Sequence, residues 1–401
     1  MTETPIPKRY SAVGVIALCF AVTFLEGFDI QSIGVAAPRL IPALGLSQQQ
    51  AGLAFGGGML GLVLGALGGG WLSDRVGRKM LLVGSVLTFG LFTLLTMIAS
   101  DFTVLLVARL GTGLGLGVAM PVLVAIALEV SEPAKRARTI TTMFCGMPAG
   151  GATAALYAAL TFETLDWRGI FLVGGLAPLL LTPFLLRLPQ TRKDTAAAAA
   201  AAHQRGVGGL FGEGRALTTL LLWSAFGLTL LVLYLLLNWL PSLVTARGLS
   251  RLVGSQAAMA FNLGSVVGAL VIGRLVDRFG ARLPIAIAYA GLLAAMLGLS
   301  QANAALPVLA CSAAAGFCLL GAQYSLYGVA PMYYPAASRG LATGAAVAVG
   351  RLGSILGPLV AGQLLTAGFS AAGVAMAMAP VVIVAGLAAT MMTTRATPFA
   401  D

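Results

Sequence analysis

The sequence predicts an all-α protein that crosses a membrane twelve times, with its helices arranged as two pseudo-symmetric six-helix bundles. Three observations lead to this prediction: the apolar composition, a succession of long apolar runs, and a short motif that occurs once in each half. Hydrophobic residues make up 59% of the 401 residues, and charged residues only 9%. A soluble domain of this length carries far more surface charge, so a lipid bilayer is the expected environment.

The formal net charge of +11 is distributed in a way that excludes a nucleic-acid-binding face. The basic residues lie in short clusters between apolar runs, where membrane proteins keep their cytoplasmic anchors. The first apolar run is too long for a cleaved signal and lacks a small-residue cleavage site, so it is expected to be a membrane span. No nucleic-acid partner is predicted.

Cysteine and histidine usage predicts neither a metal site nor a disulfide. All four cysteines, Cys19, Cys145, Cys311 and Cys318, fall inside apolar runs, where they are expected to pack as small hydrophobic side chains. The single histidine, His203, lies in a polar stretch and is expected to be solvated. An integral membrane enzyme would need a nucleophile–base pair or a metal cluster at membrane depth, and the sequence offers neither.

Each apolar run is about 20 residues or more, the length that a helix needs to cross the hydrocarbon core. Charges, prolines and glycines mark the ends of the runs. The runs, numbered spans 1 to 12, are predicted at residues 11–37, 50–72, 80–99, 102–128, 139–161, 168–186, 217–239, 254–273, 283–301, 306–329, 340–365 and 370–392.

The polar segment 187–216 separates the two sets of six spans and is predicted to be a cytoplasmic linker. The N-terminal bundle is then 1–186 and the C-terminal bundle 217–401. With both termini in the cytoplasm, only four basic residues fall on the outer side, namely Arg39, Arg168, Arg247 and Arg251. This strong asymmetry predicts a multi-pass protein of the plasma or inner membrane with both termini cytoplasmic.

The same loop motif follows span 2 and span 8. Residues 70–79 read GWLSDRVGRK and residues 273–282 read GRLVDRFGAR, about half the chain apart. Cytoplasmic anchoring explains the basic residues but not the recurrence of glycines and an acid at fixed positions. We therefore predict a conformational gate at these loops, with the candidate residues Gly70, Asp74, Arg75, Gly77, Arg78, Asp277 and Arg278.

The first of these loops resembles the signature loop of the major facilitator superfamily. The resemblance implies the major facilitator fold, two six-helix bundles that alternate access to a central site, and it is silent on the substrate.

Charged residues inside the spans are candidates for the transport pathway, because a charge at bilayer depth costs about 3 kcal/mol on insertion scales. Glu26 and Asp29 are three residues apart on span 1 and share one face of its helix. Two neighbouring carboxylates resist simultaneous ionisation, so this pair is a candidate proton-coupling site. Arg109 on span 4 is a candidate partner for Asp29. The alternative is that these charges form a purely structural ion pair.

Arg351 on span 11 is a candidate ligand for an anionic substrate. The spans of the second half contain no acid at membrane depth, so its counter-charge must come from span 1 or from the substrate. A planar guanidinium suits a carboxylate. Asn238, Gln323 and Tyr327 are candidate polar groups of the same substrate site, although aromatic and polar residues in spans can also serve only packing.

Longer stretches of the chain resemble the aromatic acid:proton symporter family. These are LEGFDIQSIGVAAP in span 1, ARLGTGLGLGVAMPVLVAIALEVSEPAKRAR in span 4 and its loop, and QYSLYGVAPMYYPAASRGLATGAAVAVGRLGSILGPLVAG across spans 10 and 11. The resemblance implies import of an aromatic carboxylate by proton symport, with 3-(3-hydroxyphenyl)propionate or a related phenylpropanoate or hydroxybenzoate as substrate. Glu26 stands where many members carry Asp, and Arg109 and Arg351 match the family's arginines.

A monomer that needs no cofactor beyond the proton gradient is expected. Two other transport functions stay open from the sequence alone. One is import of a different organic anion, such as a sugar acid. The other is proton-coupled efflux by antiport, although Gly146-Met147-Pro148 only partly matches the span-5 pattern of antiporters.

Overall fold

The computed structural model describes residues 12–132, 136–161, 166–188, 208–212, 214–335 and 338–395. Regular structure in these residues is entirely helical. Twelve of the helical segments are long and apolar enough to cross a membrane. The predicted all-α, twelve-span fold is therefore confirmed.

Most spans run longer than the apolar runs suggest, although span 6 is slightly shorter, and two spans are broken. Span 5 has a break at Cys145 and span 12 has one at Met378. The helices of spans 1 to 12 are Ala12–Ala43, Gln48–Val76, Arg78–Met97, Phe102–Val130, Arg136–Phe144 with Gly146–Thr161, Arg168–Leu185, Ala216–Thr245, Arg251–Phe279, Arg282–Gln301, Ala305–Val329, Arg339–Thr366, and Ala371–Ala377 with Ala379–Arg395.

The ends of spans 1, 7 and 8 show the largest errors, and proline is involved in the first two. Span 1 was predicted to stop at residue 37 but continues through Pro38 and Pro42, and span 7 continues through Pro241. A proline inside a membrane helix is tolerated because neighbouring groups can satisfy the carbonyl that it leaves unbonded. Span 4 begins where its sequence indicates, since Asp101 caps the helix by accepting from the backbone N–H groups of Val104 and Thr103. The hydrogen bond from Val104, with a further one from Ser100, holds the pKa of Asp101 below its usual value.

The chain divides into two compact units that do not follow the linear sequence. Unit 1 comprises Met1–Ser32, Gly57–Gly151 and Trp167–Lys193, and unit 2 comprises Ile33–Gly56, Ala152–Asp166 and Asp194–Asp401. The predicted boundaries at 186 and 217, which come from the internal repeat, stay a prediction. Most of the predicted linker, including His203, lies outside the described residues.

In unit 1, span 1 packs against span 5 at a contact that only glycine allows. A Cβ on Gly27 would overlap the backbone carbonyl of Met147. Thr23 strengthens the same contact by donating a hydrogen bond to the carbonyl oxygen of Met143 at 2.7 Å. This close approach fixes the turn of span 1 that carries Glu26 and Asp29.

In unit 2, the corner formed by residues 33–56 packs against spans 7 and 11. A Cβ on Gly34 would overlap the carbonyl oxygen of Leu237. The ring of Phe55 meets that of Trp239 edge-on at 5.3 Å, and Trp239 Nε1 donates to the carbonyl oxygen of Pro358 at 3.1 Å. The indole polar group, buried in an apolar span, is thereby satisfied.

Candidate functional site

The first component of the candidate site is a buried ion pair in unit 1. Arg109 donates from Nη2 to Asp29 Oδ2 at 3.0 Å and from Nη1 to Oδ1 at 3.3 Å. Thr93 Oγ1 donates to Asp29 Oδ1 at 2.7 Å. Asp29 is 0% exposed and Arg109 2%. The structure thus brings together two residues that the sequence could only suggest as partners.

Glu26 lies one turn before Asp29 on the same helix and is 1% exposed. Two carboxylates are therefore buried on one face of span 1, and one of them forms the pair with Arg109. Removing one charge from a buried pair is costly, by about 3–5 kcal/mol, because the other charge stays buried without compensation. A proton that neutralises Asp29 therefore changes the stability of its contact with Arg109 substantially.

The second component is Arg351 in unit 2. Its guanidinium is partly buried, and Nη1 donates to Tyr234 Oη at 3.5 Å. Span 11 reaches this position because it lies directly against span 7: a Cβ on Gly353 would overlap the carbonyl oxygen of Gly227. The result is a cation and a phenol hydroxyl side by side on neighbouring spans.

Aromatic rings of spans 7 and 10 pack near the turn of span 11 that carries Arg351. Phe226 and Tyr327 meet edge-on, with ring centroids 5.0 Å apart. Phe226 also reaches span 11, because its Cδ1 lies 3.6 Å from the position of a Cβ on Gly350, the residue before Arg351. Tyr324 lies 6.4 Å from Tyr327, centroid to centroid. Phe226 thus lies between Tyr327 and the turn of span 11 that carries Arg351.

Two buried amides belong to the same unit. Asn238 is 0% exposed, and its Nδ2 donates to the carbonyl oxygen of Tyr234 at 2.7 Å. Gln323 is 2% exposed, and among the described residues neither of its amide atoms has a hydrogen-bond partner. A buried polar group normally has a partner, so Gln323 requires an explanation.

The two motif loops differ from each other. In the first, Gly77 adopts φ 86° between spans 2 and 3, a conformation that favours glycine, and Arg78 forms an ion pair with Glu129 at the end of span 4. In the second, Gly280 has φ 77°, while Asp277 and Arg278 are exposed. For Gly70 and Asp74 the structure describes only the helical backbone, so the predicted gate role of both stays a prediction, as does that of Arg75.

Sequence reasoning missed three contributors to these contacts. Thr93 was not singled out because one hydroxyl in an apolar span usually bonds its own helix. Phe226 looked like one of many packing aromatic residues. Glu129 was not singled out because an acid at the cytoplasmic end of span 4 can simply reach solvent or cap the helix, and its partner Arg78 is far away in the sequence.

The four cysteines are free; Cys19 is buried, and Cys145, Cys311 and Cys318 are half-buried. Among the described residues, no group of His, Cys, Asp or Glu has the arrangement of a metal site.

Comparisons with known proteins place the chain in a family. The model of the Major Facilitator Superfamily matches residues 19–326 and 254–400. The chain is similar to the 3-(3-hydroxy-phenyl)propionate transporter of Escherichia coli K12, at 41% identity over 98% of this chain and 97% of that protein. It is also similar to the gallate transporter of Pseudomonas putida, at 35% identity over 88% of this chain and 86% of that protein. The 4-hydroxybenzoate transporter PcaK of Pseudomonas aeruginosa is 32% identical over 89% of this chain and 87% of the relative.

Solved structures agree on the fold. A D-xylose-proton symporter superposes with a TM-score of 0.79 at 16% identity, covering 96% of this chain and 98% of the symporter. A bacterial homologue of the lysosomal transporter Spinster, inward-facing and occupied, gives a TM-score of 0.76 at 17% identity over 99% of this chain and 100% of the homologue. These identities are too low to carry function. From the family match and the relatives, the chain is a multi-pass membrane transporter, not an enzyme, and it belongs to the Major Facilitator Superfamily.

Proposed function

We propose that this protein imports an aromatic carboxylate together with a proton, and that 3-(3-hydroxyphenyl)propionate or a related phenylpropanoate or hydroxybenzoate is the substrate. The observation that carries the proposal is Arg351, a partly buried cation beside a phenol hydroxyl, on a turn of span 11 that an aromatic pair approaches at Gly350. The names of the relatives, all transporters of aromatic acids, support the same substrate class.

Arg351 is suited to the carboxylate. A guanidinium offers parallel N–H donors that match the two oxygens of a carboxylate, and Tyr234 Oη beside it adds a further donor. The edge-on pair of Phe226 and Tyr327 gives an aromatic ring the offset or edge-to-face neighbours that it prefers. An aromatic monoanion therefore finds its charge and its ring both complemented in unit 2.

Asp29, Arg109 and Glu26 are suited to proton coupling. The Asp29 carboxylate is held by two guanidinium contacts and by the Thr93 hydroxyl in a buried position, and Glu26 is buried one turn away. In our proposal a proton from the outside binds to Asp29 or Glu26 and weakens the contact of Asp29 with Arg109. The proton is released to the cytoplasm after the site has opened to that side. One proton carried with one monoanion makes the cycle electroneutral.

The substrate role of Arg351 is tested by ligand binding to purified protein. Arg351→Ala and Arg351→Lys should weaken binding of 3-(3-hydroxyphenyl)propionate by about two decades, since a charge-assisted bidentate contact contributes a few kcal/mol. The lysine variant should restore little of the binding, because lysine keeps the positive charge but lacks the planar pair of N–H donors that binds both carboxylate oxygens. Binding of the uncharged amide analogue should change much less.

Arg274→Ala is the matched control, because it removes an exposed arginine of the same half. It should leave the binding of both ligands unchanged. Equal loss of acid and amide binding in the Arg351 variants would show that Arg351 only supports the structure and would remove the main support for the proposal.

A further inference from the structure

We infer that the side-chain amide of Gln323 recognises a hydroxyl group on the aromatic ring of the substrate and so selects hydroxylated aromatic acids over their unsubstituted analogues. The inference rests on the proposed function and adds to it a specific chemical preference with a residue that confers it.

The first observation is that Gln323 is buried with both ends of its amide unbonded. It is 2% exposed, and neither Nε2 nor Oε1 has a partner among the described residues. Burying an amide without hydrogen bonds is unfavourable, and such groups in native proteins usually await a ligand or water.

Several, though not all, of the other buried polar side chains of the same unit are bonded within the protein. Asn262 Nδ2 donates to the carbonyl oxygen of Ala258 at 2.9 Å. The hydroxyl of Thr229 lies 2.6 Å from that of Tyr289. Gln323 has the length and flexibility to reach such a carbonyl in its own helix, and it does not.

The second observation is the position of Gln323. It precedes Tyr327 by one turn of span 10, so the two side chains lie on the same face of the helix. Tyr327 meets Phe226, and Phe226 reaches the turn of span 11 that carries Arg351. The turn of span 11 that carries Arg351, the aromatic pair, and the face of span 10 that carries Gln323 therefore follow one another in unit 2.

The third observation is chemical complementarity. A guanidinium carries only donors and therefore matches a carboxylate, which only accepts. An amide carries a donor and an acceptor and therefore matches a hydroxyl, which does both. A substrate with a carboxylate at one end and a ring hydroxyl at the other would satisfy Arg351 and Gln323 at once, with its ring against Phe226 and Tyr327.

This arrangement predicts selectivity. A site that is built to hydrogen-bond a substrate hydroxyl discriminates strongly against an analogue without it, because its own polar groups are then left unpaired. The wild-type protein should therefore bind 3-(3-hydroxyphenyl)propionate more tightly than 3-phenylpropionate, by about tenfold or more for one or two buried hydrogen bonds.

The test is binding of these two acids to purified full-length protein carrying Gln323→Leu or the less compact Gln323→Met. Both variants should lower the affinity for the hydroxylated acid by about tenfold. They should leave the affinity for 3-phenylpropionate unchanged or raise it, because the unbonded amide is gone. The selectivity of the wild type should thus disappear in both variants.

Asn262→Leu is the matched control, a buried amide of the same half that donates within its own helix. It should shift both affinities by the same factor. If the Gln323 variants also shift both affinities equally, Gln323 is a structural residue and the inference is wrong, while the proposed function stands. If the wild type binds neither acid, the proposed function fails, and the inference fails with it.

Discussion

At the residue scale, Asp29 is the group on which proton coupling depends in our proposal. Asp29→Asn keeps the shape and can still accept from Thr93, but it can neither pair its charge with Arg109 nor take up a proton. Accumulation of substrate against its gradient should be abolished. Counterflow exchange, which needs no net release of a proton, should survive. Uptake and counterflow in proteoliposomes measure the two activities separately.

Glu26→Gln extends the test to the second carboxylate, and Thr96→Val controls for damage to the fold. Glu26→Gln should impair accumulation too if the two carboxylates act together. Thr96→Val is a matched neutral change, since Thr96 is buried on the same span as Thr93 but bonds only its own helix, through the carbonyl oxygen of Phe92. Full proton-driven accumulation in both acid variants would rule out the coupling role.

The residues of the ion pair could be chosen from the sequence because charge at bilayer depth is rare and costly. Their geometry could not, because Asp29 and Arg109 are far apart in the chain and their contact depends on how spans 1 and 4 pack. The hydrogen bonding of the Gln323 amide could not be predicted from the sequence either. A glutamine in an apolar span looks the same in sequence whether its amide is bonded or not.

At the element scale, the first motif loop is held by the ion pair of Arg78 with Glu129. Both side chains are partly exposed, so the pair contributes little to stability, about 0–1 kcal/mol. If the loop acts as a gate, the pair matters for turnover instead. Arg78→Glu and Glu129→Arg should each slow uptake per molecule, because each places like charges together, and the double variant should restore it.

The measurement is the initial uptake rate, normalised to the amount of purified protein in the vesicles. Arg278→Glu is the matched control, as it reverses an exposed arginine in the second copy of the motif. We expect it to have the smaller effect. A double variant as slow as the two single variants would show that the pair has no part in gating.

The positions of the twelve membrane helices were predictable because each apolar run is about as long as a membrane crossing or longer. Helix ends were harder to predict, because the rule that a proline ends a helix comes from water-exposed helices. Span 1 continues through Pro38 and Pro42 because neighbouring groups in the membrane can satisfy the carbonyls left unbonded. The breaks at Cys145 and Met378 lie two or three residues before a proline, Pro148 or Pro380. A proline alone does not mark such a break, since spans 1 and 7 continue through theirs.

At the scale of the whole molecule, the internal repeat and the length of the apolar runs were enough to predict a twelve-span transporter. The division of the chain into units was less accessible. Residues 33–56 belong with spans 7 and 11 through contacts such as Gly34 against Leu237, and those contacts depend on small residues meeting backbone rather than on any motif.

The central claim, proton-coupled import of an aromatic acid, is tested most directly by uptake of 3-(3-hydroxyphenyl)propionate into proteoliposomes under imposed gradients. An acidic outside should drive accumulation above the external concentration, and a membrane potential without a pH gradient should not, because one proton and one monoanion carry no net charge. Accumulation that ignores the pH gradient, or that requires a membrane potential alone, would contradict the proposal.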